Sequence, residues 1–130
     1  MSDDAKRIKE ELENGKLKIL EERVQGSVQI VAFSGRLTQG EGARLFSERM
    51  HQLLTNSHGL SKLVLDVQDV QAFDSDGIGE MLSVFSYGRK LGVVVVLLTK
   101  PDSRLVGILD FTKLYNVFHV AYSLESALEI

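Results

Sequence analysis

Residues 66–80 read DVQDVQAFDSDGIGE and carry Asp66, Asp69, Asp74, Asp76 and Glu80 without a single Lys or Arg. Such a set could hold an oxygen-seeking cation or cap a helix. The alternating acids of a calcium loop are missing, because Asp74 and Asp76 are followed at once by Gly77. Asp74, Ser75 or Asp76 can each cap a helix whose apolar residues begin at Ile78. Gly77 and Gly79 then need a reason, since glycine within a helix costs about 1 kcal/mol relative to alanine. Close approach of another backbone, or of a partner, at the first turn would supply one. Ser75 as a hydrolytic nucleophile lacks the G-x-S-x-G elbow. His51, His58 and His119 show no metal-ligand spacing, and His58-Gly59 reads as a helix end.

Alternating strands and helices must position this segment. Residues 3–14 mix acids and bases around Ala5, Ile8 and Leu12 at helical spacing, with Gly15 as the stop. Two strands follow over residues 16–35, turned by Gln25-Gly26-Ser27. Val28, Ile30 and Ala32 fall on one face, Val31 and Phe33 on the other, and Gly35 marks the end. Leu45, Phe46, Met50, Leu53 and Leu54 suit a helix. KLVLDV, residues 62–67, is a short and strongly apolar strand of the kind buried in parallel sheets. After Asp74, the residues Ile78, Met81, Leu82 and Phe85 mark the apolar face of a second helix, ended by Gly92. Residues 93–98 form the next strand. A turn at Thr99-Lys100-Pro101-Asp102 leads to a helix with Leu105, Val106 and Leu109. An apolar segment at 117–120 precedes a last helix capped by Ser123. The alternation predicts an α/β domain on a mixed, mostly parallel sheet.

Composition bounds the partners. The chain has 130 residues, 44% hydrophobic and 25% charged, which suits one domain with a real core. A net charge of -3 gives no reason to expect a nucleic-acid partner, since phosphate binding needs a clustered basic surface. No cysteine is present, so disulfides and thiol chemistry are excluded. The charged N-terminus lacks a signal-peptide core, and the longest aliphatic run, residues 93–98, is far short of the roughly 20 residues that span a bilayer. A cytoplasmic protein without direct membrane insertion is expected.

Two resemblances bear on residues 66–80. LVLDV around Asp66, a later Asp-Gly, and Thr99-Lys100 after an aliphatic strand are similar to a response-regulator receiver domain, with Asp66 as phosphoacceptor. Asp76-Gly77 lies too far from Asp66 for that loop, and the early acidic pair of receivers is missing. A more specific match is to STAS domains, which include the anti-sigma factor antagonists. Their signature, approximately L-D-(L/F)-x-x-(V/L)-x-(F/Y)-(I/L/M)-D-S-(S/T)-G-(L/I)-G, resembles Asp66, Val70, Phe73 and the run DSDGIG from Asp74. Gly35-Arg36-Leu37-Thr38 falls where the family has G-x-L-D, and Leu91-Gly92, Leu105, Leu109, Thr112, Leu114 and Phe118 follow its course.

The resemblance implies a single STAS-like domain over residues 16–130, with residues 1–15 as a short helical extension. It implies a regulatory binding module, not an enzyme, with no cofactor. Ser75 would be phosphorylated by a serine kinase that is itself the anti-sigma factor, and a PP2C-type phosphatase would reset it. Partner contacts would come from Thr38, Gln39, Asp74, Asp76, Gly77, Gly79, Glu80 and Ser83. A STAS scaffold of a stressosome-like or membrane transport complex, without phosphoswitching, is the alternative. The chain departs from the pattern at Asp76, where the family has Ser or Thr, and at Thr38, where it has Asp. Ala72-Phe73 also replaces the usual aromatic-then-aliphatic pair. Asp76 sets a permanent charge beside the acceptor, and Thr38 removes a carboxylate from the partner surface.

Overall fold

The computed structural model describes residues 3–6 and 15–130. Residues 3–6 are helical, and the remainder of the helix expected over 3–14 lies outside the described residues. Five strands make one sheet in the order of the chain: β1 (Lys18–Gln25), β2 (Val28–Leu37), β3 (Lys62–Phe73), β4 (Val94–Leu98) and β5 (His119–Ala121). β1 and β2 are an antiparallel hairpin, and every later pairing is parallel. Helices α1 (Glu41–Asn56), α2 (Ser75–Lys90), α3 (Arg104–Phe111) and α4 (Leu124–Glu129) follow β2, β3, β4 and β5. The mixed α/β architecture expected from the sequence is therefore present.

Consecutive parallel strands that advance in one direction, joined by right-handed crossovers, put their helices on one face of the sheet. Strand alternation supplies the matching apolar surface. Val31, Phe33, Leu63, Leu65, Val67, Val95 and Leu97 face a core completed by Phe46 and Met50 of α1, Ile78 and Met81 of α2, and Leu105 and Leu109 of α3. Ile30, Val64, Val96 and Leu98 point the other way, against Ala127 of α4. Lys62 ties that second layer down. Its buried ammonium donates to the carbonyls of Ala127 (2.9 Å) and Leu128 (2.8 Å), which α4 leaves without helical partners.

Several boundaries differ from the sequence expectation. β2 continues to Leu37 and β3 continues to Phe73, because the two strands keep pairing through Ser34↔Asp69, Arg36↔Ala72 and Leu37↔Phe73. Backbone groups make that ladder, so polar side chains at Gln68, Asp69 and Gln71 do not end it. Two register shifts, between Ala32 and Ser34 and between Gly35 and Arg36, absorb extra residues of β3. On α1 the buried residues are Ala43, Phe46, Met50, Leu53 and Leu54, whereas Leu45 is exposed. On α2 the fully buried apolar side chains are Ile78, Met81 and Val84, with Leu82 and Phe85 packed at the margin. β5 is His119–Ala121, one residue beyond the expected 117–120, since it must pair with Val96, Leu97 and Leu98. Gly92 ends α2 as expected, at φ 76°, with its N–H donating to the Arg89 carbonyl.

Candidate functional site

Leu37 and Phe73 are opposite one another at the ends of β2 and β3, so the chain leaves both strands side by side. Residues 38–40 lead into α1, and Asp74 leads into α2. Ligand-binding positions of open α/β sheets lie at such carboxyl ends. Asp74 joins the two exits. One carboxylate oxygen accepts the Gly77 N–H (2.8 Å) as the α2 N-cap, and the other accepts the Gln39 N–H (2.8 Å). These bonds favour the charged form, the one from Gln39 most, and hold the Asp74 carboxyl below its ordinary range. The expected cap thus falls on Asp74 rather than on Ser75 or Asp76, and it also fixes the neighbouring loop.

The two glycines separate in role. A Cβ on Gly77 would stand 2.0 Å from the Leu37 carbonyl oxygen, so the first turn of α2 reaches the end of β2 only with glycine there. Gly77 is buried. Gly79 is exposed, and a Cβ placed on it would meet nothing within 4 Å, so internal packing gives no reason for it.

Ser75 is the first residue of α2 and is exposed, and its hydroxyl makes no hydrogen bond among the described residues. It stands at the end of a helix where backbone N–H groups and the macrodipole favour negative charge. Asp76 is exposed beside it. A shallow depression of about 420 Å³ brings Gln39, Asp76 and Glu80 together with Arg44 and Glu48 of α1. Sequence reasoning missed Arg44 and Glu48, whose proximity arises from the packing of α1 against α2. Nothing local in the sequence signals it. Thr38 is half-buried, its carbonyl accepting the Ala43 N–H (3.0 Å). Ser83 is exposed further along α2, with its hydroxyl 3.4 Å from His51 Nε2. His51 donates from Nδ1 to the Ser47 carbonyl (2.7 Å) and lies against the ring of Tyr87.

The five acids of residues 66–80 do not form one patch. Asp66 and Asp69 lie inside β3, and at roughly 3.3 Å per residue Asp66 is about 25 Å from Asp74 along the strand. Asp66 is half-buried and accepts the backbone and side-chain N–H groups of Gln68 (3.1 and 3.0 Å). Among the described residues, no three His, Cys, Asp or Glu side chains are grouped to hold a metal ion. No helix among them is long and apolar enough to cross a membrane.

The family model for the STAS domain matches residues 19–127, which takes in the sheet and the Asp74–Ser75 corner. The chain belongs to the STAS domain family. Comparison with solved structures finds the same fold in several proteins. A putative anti-sigma factor antagonist from Thermotoga maritima has a TM-score of 0.73 at 22% identity, over 84% of this chain and 91% of its own. An anti-sigma factor antagonist from Mycobacterium paratuberculosis has 0.71 at 18% identity, over 88% and 93%. The Bacillus cell fate determinant SpoIIAA in its phosphorylated form has 0.63 at 15% identity, over 87% and 96%. A comparison with curated proteins gave no match. This STAS domain therefore has anti-sigma factor antagonists among its structural neighbours.

Proposed function

We propose that the chain is an anti-sigma factor antagonist-like binding module whose docking is switched by phosphorylation of Ser75. The observation that carries the reading is the setting of Ser75. It is an exposed hydroxyl on the first turn of α2, free of internal bonds among the described residues, beside a carboxylate that is already committed. A phosphate there would add about -1.5 to -2 charge. The N-terminal N–H groups of α2 make that charge locally tolerable. Asp74 keeps its bonds to Gln39 and Gly77, so the loop and the helix start stay in place. What changes is the surface: Asp76 and Glu80 already make it acidic, and the phosphate adds repulsion and bulk where a partner would sit.

The partner in this reading is an anti-sigma factor serine kinase, and a PP2C-type phosphatase removes the phosphate, both in the cytoplasm. Contact falls on Thr38, Gln39, Asp74, Asp76, Gly79, Glu80 and Ser83, while the buried Gly77 contributes by letting α2 approach β2. As a binding module the chain needs no catalytic group and no cofactor. Residues 16–130 are the unit that carries the switch, and residues 1–15 are an extension to it. Intact-mass analysis of the protein from its native cell tests the modification. The expected result is a species heavier by one phosphoryl group that disappears in Ser75→Ala. A phosphoryl group that persists in Ser75→Ala would refute the assignment.

A further inference from the structure

β1 is one of the two terminal strands of the sheet, and among the described residues its outer edge has no partner strand. An open edge presents a row of N–H and C=O groups to any strand that can pair with it. β1 is also exposed along most of its length, with Leu20 54% and Val24 67% exposed. Glu21 and Arg23 share one face of the strand, 3.6 Å apart and both solvent-facing. They lie opposite Ala32 and Ile30 of β2. Glu22 lies on the other face, where Arg49 of α1 donates two hydrogen bonds to its carboxylate (2.9 and 2.7 Å).

We propose that β1 pairs antiparallel with β1 of a second copy of this chain, centred on Glu22, so that two sheets become one. Two antiparallel copies joined edge to edge are related by a twofold axis perpendicular to the sheet. Each residue then meets one from the same face, so the axis is centred on a residue and only a few registers are available. Centred on Glu21, the pairing sets Glu21 against itself. Centred on Arg23, it sets Arg23 against itself and Val24 against Glu22. Centred on Glu22, it sets Glu21 against the partner's Arg23 on both sides of the axis, while Leu20, the extra residue of the bulge, stays outside the regular pairing. Acid then meets base, a cross-strand pair that stabilises a sheet. The one like-charged pair is Glu22 with its copy, and Arg49 neutralises each. The bulge between Ile19 and Glu21 limits regular pairing to a short stretch, so the dimer is weak and concentration-dependent. Ser75 follows β3, two strands in from this edge, and the pairing does not use it.

Sedimentation equilibrium of the full chain over a wide concentration range tests the proposal. The weight-average mass is expected to climb from 14.5 kDa toward twice that value. Glu21→Arg or Arg23→Glu alone places like charges opposite each other and should weaken association by about tenfold or more. The double exchange Glu21→Arg/Arg23→Glu should restore it. Circular dichroism checks that each variant is folded, and in the unaltered protein those amides of residues 21–24 that point away from β2 should exchange more slowly as concentration rises. A mass fixed at the monomer value overturns the proposal. So does a dimer indifferent to both single reversals, or a double exchange no stronger than the singles.

Discussion

Asp74 does two things with one carboxylate: it starts α2 and it holds the loop that precedes α1. Asp74→Ala should therefore lower stability by about 0.5–2 kcal/mol, the usual range for loss of an N-cap, as measured by denaturant unfolding. The pH dependence has a definite sign. Because the folded-state pKa is depressed, chiefly by the Gln39 N–H, the contribution is complete above the ordinary carboxylate range. It is lost as the pH falls through the lower, folded value. Asp74→Asn should flatten that acid limb, and an unchanged limb would show that these bonds carry no stability. The sequence placed a cap among Asp74, Ser75 and Asp76, because N-capping is local chemistry. The bond to Gln39 was not legible, since it spans 35 positions and depends on where β2 ends. Asp76 is a charge beside Ser75, the acceptor of the proposed switch. Asp76→Ser should raise the rate at which a cognate kinase modifies Ser75, followed as phosphate incorporation over time.

At the level of elements, Gly77 and Gly79 look alike in the sequence and differ in the fold. Gly77→Ala drives a methyl into the Leu37 carbonyl and should cost about 1–3 kcal/mol through overpacking. Gly79→Ala meets open space and should stabilise α2 by about 0.4–1 kcal/mol, read in the same unfolding experiment. If Gly79→Ala nonetheless weakens partner binding, its place is on the docking surface. At the other end of the sheet, Lys62→Met should cost about 1–3 kcal/mol, because the buried Ala127 carbonyl and the part-buried Leu128 carbonyl at the end of α4 lose their donor. Strand and helix identities were legible from period and turn chemistry, as Ser123 shows by accepting the Ser126 N–H at the start of α4. The full length of β3 was not, because pairing with β2 rather than composition decides where it stops.

On the scale of the whole molecule, the sheet order places its two exposed features apart. The Ser75 corner lies at the carboxyl end of β3, and the edge of β1, unpaired among the described residues, lies two strands away. The run of five acids in the sequence resolves into two acids inside a strand and three around the start of a helix. That sorting leaves Asp74, Asp76 and Glu80 on a compact surface around one serine. It also assigns Arg44 and Glu48 of α1 to the neighbourhood of Asp76 and Glu80, which only tertiary packing could do. The measurement that bears most directly on the switch is a binding titration of the anti-sigma factor kinase with two forms of the full chain, unmodified and phosphorylated at Ser75. The phosphorylated form should bind at least about tenfold more weakly, while amide spectra of the free protein change only near residues 38–40 and 74–80. Equal affinity for the two forms would contradict the account.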